Sequence, residues 1–185
     1  MTQLPITLED APAGALSGAP LLEIAVDGTP VGQGAVRYSS TGHGYHANGK
    51  ALKPWRRAVQ RAAEQVRDAA GGHAFAKRDT LSRACTVCAV LKADHVMTAA
   101  PVFAEITVTV KKPKSAPKLR RTWPITRSSY DIDHHARAIL DAISAAEVWR
   151  DDSQVIELIA RKAYPGEGVD ALPHPGAVIR IWELS

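Results

Sequence analysis

Val102-Phe103-Ala104-Glu105-Ile106-Thr107-Val108-Thr109-Val110-Lys111 decides the architecture. Val102, Ala104, Ile106, Val108 and Val110 fall on one side of an extended chain, and Phe103, Glu105, Thr107, Thr109 and Lys111 on the other. Strict alternation of this kind predicts a half-buried β-strand. The strand delivers the chain into a segment punctuated by Pro113, Pro117 and Pro124, which keep it out of regular helix. An extended, solvent-facing loop is expected there.

Working outward, residues 129–147 read as a helix with Ile132, Ala136, Ile139, Leu140 and Ile143 on one face. Residues 154–164 and 177–184 read as two further strands, joined by a loop over 165–175. Upstream, residues 21–26 form a short strand stopped by Asp27-Gly28. Residues 32–49 are dense in glycine and polar side chains and read as a long loop carrying His43, Tyr45 and His46. A clear helix covers 53–70, with Pro54 in its first turn and Gly71-Gly72 ending it. Its apolar face is Trp55, Ala58, Val59, Ala62, Ala63, Val66 and Ala70, with Arg56, Arg57, Arg61, Glu64 and Arg67 off that face. This order predicts an α+β two-layer sandwich, helices packed on a mixed or mostly antiparallel sheet.

The chain has 185 residues, 45% hydrophobic and 23% charged, which suits one domain with a core and excludes wholesale disorder. Residues 1–19 are expected to be a flexible extension, 20–185 a single domain, and 72–100 an insert. No run of about 18 apolar residues exists, so no membrane span is expected. Met1 to Pro20 lacks the layout of a secretory signal. A soluble, cytoplasmic protein with no membrane partner is the expectation. The two cysteines, Cys85 and Cys88, form a lone C-x-x-C that His95 does not complete as a zinc site, so reduced thiols are expected.

Charge is uneven. Lys111, Lys112, Lys114, Lys118, Arg120, Arg121 and Arg127 fall within 17 residues that contain no acid, leaving 16 basic against 19 acidic residues elsewhere. Such a strip is either a polyanion-binding surface or a solvated basic loop. Beside it lie Asp131 and Asp133, and further on Asp151 and Asp152. Carboxylates suit hard cations such as Mg²⁺, which can generate hydroxide and offset charge on a phosphoryl centre. The same acids are equally read as a helix cap and a turn before a strand.

Asp131-Ile132-Asp133-His134-His135-Ala136-Arg137, Leu140-Asp141-Ala142 and Val148-Trp149-Arg150-Asp151-Asp152-Ser153-Gln154-Val155 together resemble the RusA family of Holliday junction resolvases. Its pattern is D-x-D-N-x-x-K, L-D-A-L and D-D-x-Q-[IV]. Lys112-Pro113-Lys114-Ser115, Gly28-Thr29-Pro30 and Trp55-Arg56 also match family elements. The resemblance implies a RusA-like nuclease domain and a homodimer, as is common in phages and prophages. It implies resolution of four-way DNA junctions by paired symmetric nicks, in recombination and repair. It further implies Mg²⁺, with Mn²⁺ able to substitute, held by Asp131, Asp133 and Asp152, with Asp151 in support. Arg137 falls at the family's catalytic lysine. Lys111, Lys112, Lys114, Lys118, Arg120, Arg121 and Tyr130 would contact DNA.

Two departures matter. His134 replaces the family's Asn and Arg137 its Lys. Arginine stays protonated, so it can stabilise charge but not donate a proton. A non-catalytic protein that binds branched DNA is therefore the alternative. His134 and His135 are open to metal ligation, DNA contact or helix capping. Geometry adds a constraint: a helix over 133–146 is about 21 Å long. Asp152 then reaches Asp131 in one chain only if the helix ends early or the return is nearly straight. Otherwise a partner subunit completes each acidic cluster.

Overall fold

A computed structural model of the chain describes residues 18–70, 96–117 and 120–184. The expected extension up to residue 17, most of the 72–100 insert with Cys85, Cys88 and His95, and Lys118 lie outside the described residues. The elements are β1 (Leu22–Asp27), β2 (Val36–Tyr38), β3 (Gly44–His46), α1 (Gly49–Ala70), β4 (Val102–Thr109), α2 (Ile132–Ala145), β5 (Val155–Ala163) and β6 (Gly176–Glu183). Single 3-10 turns at Arg127–Ser129 and Asp152–Gln154 precede α2 and β5.

The main sheet has the order β1-β6-β4-β5. β1 and β4 run antiparallel to β6, and β4 runs parallel to β5. The fold is thus the expected α+β sandwich on a mixed, mostly antiparallel sheet. Parallel neighbours need a crossover, and α2 supplies it. α2 therefore starts at the carboxyl ends of β4 and β5 and finishes near their amino ends. Leu22, Ile24 and Val26 of β1, Ile106 and Val108 of β4, and Ile179 and Ile181 of β6 are buried with Val59 and Ala63 of α1 and Ile139 and Ile143 of α2 in one core.

Four local readings need correction. β4 is not half-buried: Phe103, Thr107 and Thr109 are buried on the second face too. That face is closed by Phe103 against Trp182, 5.2 Å between ring centroids, and by Leu172, whose N–H donates to Thr109 Oγ1 at 2.9 Å. Arg180 adds a paired fork to Asp170 at 2.6 and 2.9 Å. Residues 32–49 are not simply a loop, because β2 and β3 pair there as a small antiparallel hairpin. α1 begins a turn earlier than expected: Asn48 carbonyl accepts from Ala51 and Leu52, so Pro54 lies inside the helix. Arg67 is also buried, not solvated. Its guanidinium donates to the Ala146 carbonyl just past α2 and pairs with Asp68. A favourably placed cation thus stands at a helix carboxyl end.

Candidate active site

The helix expected from residue 129 is broken at Tyr130. The chain makes a 3-10 turn, Tyr130 takes a left-handed φ of 54°, and α2 then starts at Ile132. Such a φ is uncommon outside glycine and is held by its surroundings. Here Lys162 of β5 donates to the Tyr130 carbonyl at 2.5 Å and to Ser129 Oγ at 3.3 Å. Ser129 Oγ in turn donates to the carbonyls of Pro124 and Thr126 at 2.7 and 2.6 Å. Burial pushes the Lys162 ammonium below its ordinary range, opposed by the charge of nearby Asp131.

Asp131 occupies the N-cap position of α2 but makes no side-chain capping hydrogen bond. Its carboxylate is not spent on the helix. Asp131, Asp133 and His134 bring a ligand atom each within 4.8 Å of one another, with both aspartates exposed. His134 Nε2 lies 3.8 Å from Asp133 Oδ2. Two carboxylates and an imidazole at the start of a helix, open to solvent, are a donor set that fits a divalent cation. Arg137, one turn beyond Asp133, is exposed on the same side of α2.

Asp152 is not brought into this group. α2 does not end early, and after the turn at Glu147 the chain reaches Asp152 at the other end of β5. Lys162, beside Asp131, is at the far end of that nine-residue strand, roughly 30 Å away. Asp151 instead caps the 3-10 turn, its Oδ1 accepting from Ser153 N–H at 2.9 Å. Hydrogen bonds from Ser153 hold its carboxyl below the usual range.

His135 takes none of its three expected roles. It is fully buried, and its Nε2 donates to the Ser129 carbonyl at 2.8 Å. Nδ1 is then a bare lone pair with no partner among the described residues. Burial lowers the imidazole's pKa, because a charged ring would place an unpaired N–H in the core. The unfolded chain therefore binds a proton that the folded chain refuses. Stability is full above the unfolded value near 6.5 and declines as pH falls below it, by at most about 1.4 kcal/mol per pH unit. Urea unfolding of the wild type and of His135→Gln between about pH 7 and 5 should show this slope in the wild type only.

The basic strip is irregular, as expected, but not uniformly free. Lys112 is ion-paired to Glu167, which also accepts from Thr122 N–H at 3.0 Å. Glu167 therefore fastens both ends of the strip, and the Lys112 hydrogen bond pushes its carboxyl down in pKa. Lys112 thus also anchors the strip to Glu167. Lys111, Lys114, Arg120 and Arg121 are exposed. Arg121 lies 4.1 Å over the ring of Trp123, itself 58% exposed. Tyr130 does not project freely, since its ring packs edge-on to His135 at 5.7 Å.

Gly32 permits a close approach from the other side of the site. A Cβ there would stand 2.8 Å from Tyr130 Cβ and 3.0 Å from His134 Cβ. The absence of a side chain lets Gln33 N–H reach the His134 carbonyl at 2.8 Å. Sequence reasoning missed Lys162, Gly32 and Trp123. The only signal for Lys162 was its place in the alternation of β5, on the same face as Val108.

A family model described as Endodeoxyribonuclease RusA matches residues 77–170, just over half of the chain. The match takes in the basic strip, Asp131, Asp133, Asp152 and Lys162. No curated protein matches the chain.

Proposed function

The chain belongs to the RusA endodeoxyribonuclease family, and from that premise we propose that it nicks four-way DNA junctions as a homodimer using Mg²⁺. The observation that carries this reading is the uncapped carboxylate of Asp131 grouped with Asp133 and His134 beside an exposed basic strip. A divalent cation held there would acidify water and offset charge developing on a phosphodiester. The protein's own groups supply the rest. Lys111, Lys114, Arg120 and Arg121 hold phosphates with little sequence information. Trp123, exposed next to Arg121, offers a face on which an unpaired base can stack. Arg137 places a permanent charge near the aspartates and stabilises negative charge without moving a proton.

Asp152 enters through the second subunit. Within one chain it stands at the wrong end of β5, so each site takes Asp131 and Asp133 from one copy and Asp152 from the other. Among the described residues β5 is an edge strand, with Ile156 64% and Leu158 42% exposed. An apolar unpaired edge of this kind invites a partner strand. Residues 20–185 would act as one nuclease domain. No described helix is long and apolar enough to cross a membrane.

The test uses a labelled four-way junction and a linear duplex, each with Mg²⁺ or EDTA, and Asp131→Asn alongside. Symmetric paired nicks in the junction alone, abolished by EDTA and by the substitution, are the expected result. Tight junction binding without cleavage in Mg²⁺ or Mn²⁺ would overturn the enzyme and leave a branched-DNA-binding protein.

A further inference from the structure

We propose that the groove between the β2–β3 hairpin and the first turns of α1 is a second DNA seat, holding the backbone of an arm that leads away from Asp131 and Asp133. This inference rests on the nuclease reading above but concerns residues outside the 77–170 stretch that the family model matches. The groove has a volume of about 830 Å³ and no acidic residue among the described residues that line it. Tyr45, His46, Lys50, Lys53, Arg56 and Arg57 line it. Lys50, Lys53 and Arg57 are exposed, while Arg56 is partly engaged by Asp141 at 3.3 Å. The first turn of α1 carries no acid. Four cations around one concavity raise the local concentration of a polyanion.

The hairpin turns aromatics outward. Tyr38 is 74% and Tyr45 52% exposed, which suits contact with sugars and bases rather than a merely solvated helix face. The groove is also tied mechanically to the acidic cluster. Asn48, at the head of α1, donates to the Gly32 carbonyl at 2.6 Å and accepts from Gly34 N–H at 3.2 Å. His46 Nδ1 donates to the Gly34 carbonyl at 2.9 Å. Residue 33 between them holds the His134 carbonyl. One short run of backbone thus connects the hairpin, α1 and the start of α2.

A second link fixes the distance. Asp133, Arg137 and Asp141 follow at four-residue steps along α2, and Asp141 holds Arg56 at the groove. Eight residues of helix span about 12 Å, or three to four base pairs at about 3.4 Å each. The groove is thus placed for phosphates about that far from the cut.

Lys50→Ala/Lys53→Ala/Arg57→Ala tests it. These exposed changes should leave thermal unfolding unaltered. Each phosphate contact contributes about 0.9 to the slope of log affinity against log salt. The triple variant should therefore bind a four-way junction with a slope shallower by about 2 to 3, and more than tenfold more weakly at about 50 mM salt. Arg57→Gln alone should lower the slope by about 0.9, and Lys50→Arg/Lys53→Arg/Arg57→Lys should restore it. An unchanged slope in a variant that still folds and cuts would overturn the groove and leave the nuclease reading standing. A wild type that binds no junction at all would overturn both.

Discussion

Asp131→Asn and Asp152→Asn proteins, each inactive alone, are expected to regain nicking when their subunits are mixed and allowed to exchange. The reason is topological. α2 crosses between parallel strands, so its start lies at the carboxyl ends of β4 and β5 and its finish near their amino ends. Asp131 and Asp133 stand at the first end and Asp152 at the second. No rotamer change closes a gap set by a nine-residue strand. A two-fold axis does close it. If two β5 edges pair antiparallel about Ile159, Val155 of one copy faces Ala163 of the other, and Asp152 arrives beside the partner's cluster. Closed two-fold assemblies are the commonest for identical chains. In a mixed dimer one site carries both lesions and the other carries none. With equal amounts, about half of the dimers are mixed, so single nicks should return without paired cutting. A mixture that stays inactive after verified exchange would show that each site is built within one chain. A charge introduced on the β5 edge, Leu158→Glu, should then also leave activity untouched. In the shared arrangement that substitution should give inactive monomers by sedimentation.

Much of this arrangement was legible in the sequence, for physical reasons that also mark where legibility stops. β4 announced itself because one face meets the helical core, and period-two burial leaves a period-two pattern. Its second face misled, because Thr107 and Thr109 are covered by a loop from residues far along the chain. Local pattern carries no trace of such a cover. α1 and α2 were visible through their apolar stripes, yet Arg67 read as solvated because its partner, the Ala146 carbonyl, lies 79 residues away. The aspartates were legible as candidates, since short acidic spacing at a helix start is a local fact. Their uncapped state was not, because it depends on backbone geometry at Tyr130. Helix rise was also legible: it left Asp152 near Asp131 in one chain only with an early helix end or a nearly straight return, and α2 runs its full fourteen residues. Lys162 stayed hidden because a lysine on an edge strand ordinarily points to water. Here the same face is roofed by the turn before α2.

Lys162→Met is expected to lower the nicking rate by about 10²-fold while changing junction affinity by less than threefold. Lys162 makes no hydrogen bond or ion pair to Asp131 or Asp133, although the charge of Asp131 reaches it. It holds the Tyr130 carbonyl and Ser129 Oγ, and so fixes the left-handed residue from which α2 departs. Both aspartates and His134 hang on that departure. Methionine keeps the packed stem but removes every donor, which leaves the Tyr130 carbonyl without its cation. The backbone can then relax toward an ordinary φ, and the carboxylates swing with it. Displacing a reacting constellation by about 1 Å costs on the order of 10²-fold, and removing partners that orient metal ligands costs about 10- to 100-fold in metal affinity. The loss should therefore appear in the maximal rate and in the Mg²⁺ concentration needed for half-activity. Binding in EDTA should be spared, because the phosphate contacts sit on the strip. Lys162→Arg should recover much of the rate, since a guanidinium can still reach a carbonyl. A purely structural role would instead move thermal unfolding and binding together and leave the Mg²⁺ requirement where it was. That outcome would remove Lys162 from the site and leave the turn at Tyr130 to be held by Ser129 and His135 alone.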